Sequence, residues 1–515
     1  MGEIVLAIDH GTSGIKAALV SGRGEVLDTA YEKTPIAFLP GGGAEQDPDD
    51  WWRALVKASR ALLSGGKAQK EEIAAVCVSS TFSTTVAIGA DGRHLMPALT
   101  WMDSRGARYV RAAMGGFPSV NGYAIANLLR WVPKTAGGPT LSGKDDIAHV
   151  LFVKNELPKI YEKTRVFLPS KDYLNLRLCG ETCASFDSIQ LFWVTDTRDV
   201  KNIRYEDGLV RRLGIDREKL PPLRKSTDVL GTLRPDAAEE LGLGRGVKVV
   251  CGSPDHQAAL VGSGAVRDFE AHLYVGTSSW VQCLVPFKKT DVLHSIASLP
   301  SAVPGRYQSV NEQDVAGGCL AYFADRFFER GAGPDVYREM DEMAQRAPAG
   351  SGGLIFAPWL NGERTPVDDE RLGGCLLNLT MKTSRDDMVR AVFEGVAFNT
   401  RWSLGYVERF CGRRLDPITI VGGGAKSDIW CRIFADVLGR TIRKTKDPMA
   451  ANARGAAFIA AVGLGMLRFE DVPSLVDIQR AFEPDPGNRG TYDELFHQFR
   501  RIHRANRPIF HALNG

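Results

Sequence analysis

The chain opens with short apolar runs separated by glycine-rich turns. Ile4-Val5-Leu6-Ala7-Ile8 is unbroken, as a fully buried strand requires, and His10-Gly11-Thr12-Ser13-Gly14 ends it. Ile15, Ala17 and Leu19 alternate with less apolar positions, and Ser21-Gly22-Arg23-Gly24 turns the chain into a third run at Glu25-Val26-Leu27, so this stretch reads as a β-meander. Asp47 is the expected N-cap and Pro48 the first residue of a helix through Trp51, Leu55, Val56 and Leu62 that stops at Gly65-Gly66. Residues 74–80 and 86–89 read as further strands, and 145–220 as mainly helical, with breaks at Pro158, Pro169 and Pro221-Pro222.

A second meander begins near residue 248. Residues 247–251 read as a strand ending in Gly252-Ser253-Pro254-Asp255, and 257–261 as a short helix. A strand at 272–275 enters Gly276-Thr277-Ser278 and another at 280–285 leaves it. Strand, Gly-Thr-Ser, strand therefore occurs at 4–20 and again at 272–285. The echo predicts two related α/β lobes, 1–262 and 263–515, whose hairpin tips face one cleft. The boundary falls in 255–265, and with no linker-like stretch between the halves a hinge is expected there. Ile418-Thr419-Ile420-Val421 runs into Gly422-Gly423-Gly424 and a helix whose Ile429, Trp430, Ile433, Phe434, Val437 and Leu438 share one core face, stopping at Gly439. The Arg-richer tail, 466–515, is expected to pack as helices on the outside.

Composition narrows the class. Of 515 residues 44% are hydrophobic and 24% charged, which excludes a wholly disordered chain. The 64 Lys+Arg against 61 Asp+Glu leave +3, which gives no electrostatic reason to expect nucleic acid or an anionic membrane as partner. The first apolar run lacks a basic flank and stops at Asp9, so it does not read as a signal peptide, and no stretch approaches the ~18 apolar residues of a membrane span. Nine scattered cysteines without a CxxC pair read as reduced thiols, and the histidines show no HExxH spacing; a cytoplasmic protein without a structural zinc site is expected. Glycine is in excess: 54 residues, about 10.5% against a usual ~7%.

Those glycines point toward phosphate. A Gly-Thr-Ser hairpin tip offers backbone N–H groups and two hydroxyls, a nest for an anion, although two ordinary hairpins are the plainer alternative. Asp9, just before the first tip, is suited to hold a magnesium ion on nucleotide phosphates, and Lys16 adds a point charge. Glycines 422–424, between strand and helix, let a nucleotide lie against the backbone. Ser427 stands where the last glycine of GxGxxG is needed and Lys426 follows Ala425, so neither a dinucleotide fingerprint nor a Walker A loop is present. Asp255 either accepts a proton from an attacking hydroxyl or caps a helix beginning at His256 or Gln257. Trp101-Met102-Asp103-Ser104-Arg105 reads as a sugar-contacting loop or as an Asp–Arg surface pair. Without a GxSxG motif, nucleophilic hydrolysis finds no support.

In order and spacing these segments resemble the FGGY carbohydrate kinases, most of all the xylulokinase-type members. The resemblance runs through residues 7–16 (AIDHGTSGIK), 45–48 with Trp51, 101–105, 168–174 (LPSKDYL), 231–235 (GTLRP), 254–260, 275–278, 362–366 (GERTP) and 421–430. It implies two ribonuclease H-like lobes of the actin-type ATPase fold, with ATP, Mg²⁺ and a small sugar or polyol between them; a homodimer stays open. It implies Asp255 as the catalytic base and Asp9 as the metal-associated carboxylate. Thr12, Ser13 and Lys16 then belong to the first phosphate loop, and Gly276, Thr277 and Ser278 to the second. Gly317 and Gly424 match nucleotide contacts, while Asp428 stands where some relatives place an adenine-contacting Asn.

One departure concerns the acceptor. Where xylulokinases carry Gly-Gln-Met-His-Gly, this chain has Ser80-Thr81-Phe82-Ser83-Thr84. Phe82 and Ser83, with Asp103 and Asp255, are thus the expected substrate contacts, and the missing imidazole changes the hydrogen bonds offered to a sugar. The expected activity is ATP-dependent phosphorylation of a primary hydroxyl of a ketose such as xylulose or ribulose. A kinase for a polyol such as glycerol or erythritol, and a non-catalytic ATP-binding member of the fold, are the alternatives.

Overall fold

Two twisted sheets built on one plan organise the computed structural model, which describes residues 3–515. In the first half, β1 (Ile4–Gly11), β2 (Gly14–Ser21) and β3 (Val26–Lys33) form the meander. Then follow α1 (Pro48–Ser64), β4 (Ile73–Ser80), α2 (Ser170–Cys179), β5 (Val229–Thr232), β6 (Lys248–Pro254) and α3 (Asp255–Gly262). The sheet order is β5-β6-β4-β1-β2-β3. The second half contains β7 (Ala271–Val275), β8 (Ser279–Val285), β9 (Thr290–Asp291), β10 (Ile296–Pro300), β11 (Tyr307–Val310), α4 (Gly317–Phe327) and α5 (Arg385–Cys411). It continues with β12 (Ile418–Val421), α6 (Asp428–Leu438), β13 (Ile442–Thr445), α7 (Ala451–Gly463), β14 (Ile478–Phe482) and α8 (Arg489–Leu513), in the sheet order β9-β10-β11-β8-β7-β12-β13-β14. In both sheets an antiparallel hairpin adjoins two parallel strands: β1-β2 with β4 and β6, and β7-β8 with β12 and β13. The expected ribonuclease H-like plan is present twice.

Burial on both faces explains the unbroken apolar strands. Leu6, Ile8 and Ile15 pack with Trp51, Leu55 and Ala58 of α1. Val5, Ala7 and Val20 pack on the other side with Leu260 of α3 and Ala456 and Phe458 of α7. Because both faces are covered, β2 is buried at Ala18 and Val20 as well as at the alternating positions read from sequence. The start of α1 is as expected: Asp47 accepts the Asp49 amide, Pro48 opens the helix and Gly65 ends it. The second core gathers Leu273 and Val275 with Phe393 and Val396 of α5 and Trp430 and Phe434 of α6.

Several boundaries differ from the sequence reading. Residues 145–220 are helical over more than half of their length, as expected, but Val166–Pro169 is a strand in a five-stranded sheet inserted in the first half, and irregular segments separate the helices. β6 continues through Gly252-Ser253-Pro254, because Gly252 adopts φ +75° where a Cβ would lie 2.0 Å from the Val78 carbonyl oxygen. The tail is not all helix, since β14 joins the second sheet as its edge strand. Among the described residues no helix is long and apolar enough to cross a membrane.

Helix α7 belongs to the second half of the chain but covers the first sheet. It can do so because it crosses α3 backbone to backbone. A Cβ on Gly262 would lie 1.8 Å from the Ala451 carbonyl oxygen, and one on Gly455 would lie 1.8 Å from that of Ala258. Gly455→Ala should therefore push the helices apart at the cost usual for overpacking, about 1–3 kcal/mol of unfolding free energy in urea; parental stability in this variant would contradict the close crossing.

Candidate active site

Parallel strands deliver the acids to one edge of the first sheet. In register, Asp9 of β1 pairs with Ser79 of β4, and Ser79 with Ser253 of β6, so Asp255 emerges two residues beyond the same row. Asp9 Oδ1 accepts from Ser79 Oγ at 3.4 Å and from Asn452 Nδ2 of α7 at 3.2 Å, and its Oδ2 lies 3.7 Å from Lys16 Nζ. Asp255 is the first residue of α3 and Pro254 the N-cap, so Asp255 does not fill the capping position weighed from sequence; its Oδ1 accepts the adjacent His256 amide at 2.9 Å. Burial, then the negative charges of Asp9 and Glu312, hold the Asp255 carboxyl well above its ordinary range.

A buried polar network braces β6, the strand that leads into Asp255. Lys171 and Asp172, at the start of α2, are an ion pair with no exposed surface. Lys171 Nζ also donates to the Cys251 carbonyl at 3.1 Å, as does Asn175 Nδ2 at 2.7 Å, and Ser188 Oγ donates to Asp172 at 2.6 Å. Asp187 accepts from Ser226 Oγ at 2.9 Å and from Ser253 Oγ.

The two hairpin tips are held in different ways. Thr12 Oγ1 accepts from the Trp101 indole and the Thr12 carbonyl from Gln46 Nε2, both at 2.9 Å, while Tyr31 Oη donates to the Ser13 carbonyl at 2.9 Å. The Ser13 and Lys16 side chains are exposed. In the second tip, the Gly276 carbonyl accepts from the Gly317 amide at 2.8 Å, and the Thr277 carbonyl from the amides of Ala316 at 2.7 Å and Gly318 at 3.1 Å. A Cβ on Gly317 would lie 2.5 Å from the Gly276 oxygen, and one on Gly424 would lie 2.4 Å from Val275 Cγ1. The start of α4 and the turn before α6 thus close on the hairpin of Gly276, Thr277 and Ser278.

Other expected contacts are otherwise engaged. The Asp428 carboxylate receives Lys444 at 2.8 Å and Arg480 at 2.7 Å. Ser83, at φ +60°, donates its hydroxyl proton to the Lys144 carbonyl at 2.6 Å. Asp103 has no exposed surface; it accepts from the Ala44 amide at 2.9 Å and from Arg105 Nη2 at 2.6 Å. The Asp–Arg pair is therefore a buried brace of the loop rather than a surface pair, and the Asp103 carboxylate is closed to a sugar. Phe82 stands edge-on to His256, with ring centroids 5.5 Å apart.

The structure adds residues that the sequence reading missed. Asn452 reaches Asp9 from 443 positions away. His256 stacks on Trp280, and Trp280 on Tyr274. Gln282 Nε2 donates to His256 Nδ1 at 2.8 Å, which leaves the ring proton on Nε2, and burial lowers the His256 pKa to about 3 so that the ring stays neutral. Arg364 bridges Glu312 and, at 2.8 Å, Asp314. Asn452, Tyr274, Trp280, Gln282 and Glu312 sit in no local motif with a legible spacing; only His256 and Arg364 lie in segments that carry the family resemblance.

Two lobes of this plan, with paired acids at the strand ends, define an actin-type ATPase fold. The models of the FGGY family of carbohydrate kinases match its N-terminal domain over residues 4–262 and its C-terminal domain over 271–464, and the chain belongs to that family. It is a carbohydrate kinase. The chain is 27% identical to the xylulose kinase of Staphylococcus epidermidis, covering 98% of both. Two solved structures share the fold. A ligand-bound xylulose kinase from Lactobacillus acidophilus superposes with a TM-score of 0.86 at 23% identity, covering 99% of both chains. A gluconate kinase from the same organism superposes at 0.85 and 23%, covering 98% of both.

Lys171→Met leaves Asp172 buried without its cation, and urea unfolding should register a loss of about 3–5 kcal/mol. The double variant Lys171→Met/Asp172→Leu should recover much of it; equal losses in both variants would contradict the pairing.

Proposed function

We propose that this kinase transfers the γ-phosphoryl group of ATP to a primary hydroxyl of a small ketose, with Asp255 taking the hydroxyl proton. The observation that carries the reading is the Asp255 carboxyl: part-exposed at the first residue of α3, near enough to Asp9 to feel its charge, and held well above the ordinary carboxylate range by burial and then by Asp9 and Glu312. A base is needed only as the acceptor oxygen attacks phosphorus.

The other expected residues are assigned accordingly. The Gly276-Thr277-Ser278 tip, with Gly317 and Gly424 against it, offers backbone to the nucleotide; Thr12, Ser13 and Lys16 offer the opposing surface. Asp9 suits Mg²⁺, a hard cation bound through one or two carboxylates together with phosphates: one oxygen is oriented by Ser79 and Asn452, and the other meets only Lys16, at a long 3.7 Å. Bound there, the ion would supply charge neutralisation to the phosphates.

The full-length xylulose kinase relative favours a ketose. A polyol or another acceptor is the second reading, favoured by the Phe82 ring and the engaged Ser83 hydroxyl where xylulokinases carry Met and His. ADP release measured with D-xylulose, D-ribulose, glycerol, erythritol and gluconate separates the two. Absence of stimulation by any acceptor would instead support an ATP-binding protein without kinase activity.

Asp255→Asn should lower kcat by about 10²–10⁴-fold, the usual worth of a general base, with nucleotide affinity unchanged; near-parental turnover would remove Asp255 from the chemistry. The acid limb of kcat/KM should lie above the ordinary carboxylate range, because Asp255 must be ionised to act. Glu312 is one of the charges that raise it, so Glu312→Gln should move that limb to lower pH. A limb that stays in place or moves upward would show that another group titrates.

A further inference from the structure

Tyr274 occupies the approach to the second hairpin tip. Its neighbours Leu273 and Val275 point into the second-lobe core, so its own side chain leaves the opposite face of the sheet. The ring lies flat on Trp280, with centroids 4.1 Å apart and planes 4° from parallel. Trp280 in turn stacks on His256, the residue after Asp255, at 3.9 Å and 12°. This stack fixes the ring's plane and links it to the start of α3.

The hydroxyl end lies against the tip itself. A Cβ on Gly276 would lie 2.6 Å from Tyr274 Cε1 and 3.1 Å from its Oη, so the glycine is needed to admit the ring. Burial, then the nearby charges of Asp9 and Asp255, push the phenol pKa upward, which keeps the group protonated at neutral pH. The result is a neutral donor against the proposed phosphate loop, stacked through Trp280 toward the start of α3 and close enough to Asp9 and Asp255 to feel their charge.

We propose that Tyr274 is a catalytic residue of this kinase: its hydroxyl donates a hydrogen bond to the phosphoryl group in transit between nucleotide and acceptor. The proposal rests on the kinase reading above. In transfer, the bond from phosphorus to the ADP oxygen breaks and the bond to the acceptor oxygen forms. The acceptor proton goes to Asp255, and Tyr274 keeps its own. In the proposed reading Asp9 serves the nucleotide phosphates and Asp255 the acceptor, so a donor at the phosphate loop that feels both charges would meet the equatorial oxygens, where a fixed dipole stabilises developing charge.

The test uses Tyr274→Phe, which keeps the aromatic stack, in the full-length protein. Binding of MgADP, and of MgADP with aluminium fluoride as a mimic of the phosphoryl group in flight, is measured for both proteins. Expected are unchanged MgADP affinity, a loss of about tenfold to a few hundredfold in the tightening caused by fluoride, and a matching fall in kcat at unchanged acceptor KM. Unchanged fluoride-dependent tightening overturns the proposal, as does an equal loss of plain MgADP binding or a loss confined to acceptor KM. The fluoride measurement needs no sugar, so it judges Tyr274 even if no acceptor in the panel is phosphorylated; failure of the panel bears on the kinase reading alone.

Discussion

The close crossing of α3 and α7 at Gly262 and Gly455 is the constraint on which the rest of the architecture depends. Each glycine lies against the other helix's backbone, with no room for even a methyl group between them. The contact joins a helix that closes the first half of the chain to one from the end of the second. Asp255 is the first residue of α3, and Asn452, which orients Asp9, is the second residue of α7. Spreading the helices would therefore draw Asn452 away from Asp9 and from the helix start that carries Asp255. Packing here decides whether the group that aims one acid stays beside the other.

The electrostatics follow from that frame. Phosphate chemistry does not require a large excess of basic residues, and the chain, with a formal charge of +3, has none. At the second tip the amides of Gly276, Ala316, Gly317 and Gly318 are spent within the hairpin or on holding it to the start of α4, so the backbone there fixes the loop's shape. The acids are handled differently. Lys171 and Asp172 are sealed together behind β6, whereas Asp9 and Asp255 stay near one another without a strong cationic partner, since Lys16 is distant and half-exposed. The fold neutralises charge where it needs rigidity and leaves charge uncompensated at the edge where the acids meet.

How much of this was legible depended on whether a feature is local. The hairpins at Gly11 and Gly276 could be read because a turn between apolar runs has a signature within a few residues. Asp47 and Pro48 announced α1 for the same reason. Asp255 could be read only as one of two alternatives, because a carboxylate after a strand looks the same whether it caps a helix or faces a substrate. Asn452 could not be read at all: an asparagine near an Ala-rich helix start carries no sign of a partner 443 residues earlier. The strand within 145–220 went unread for the same reason, since Val166–Pro169 becomes a strand by pairing with Thr85–Ile88, a partner far away in sequence.

In the proposed reading, catalysis and acceptor choice are carried by different parts of the molecule. The acids sit at strand ends and helix starts whose positions are fixed by sheet register and by the glycine crossing. The segment from Ser80 to Thr84 is a connection between two sheets, and its side chains change without altering either register. Phe82 meets His256 through ring edges, and Ser83 is turned to Lys144, so this connection presents an aromatic surface where the related kinases have Met and His. A polar group that loses its partner in a closed site costs far more than a lost apolar contact. Substitution in this connection can therefore redirect which hydroxyl pattern is accepted while leaving the phosphoryl-transfer geometry intact, which is why the family and its chemistry are far easier to read from this chain than its sugar.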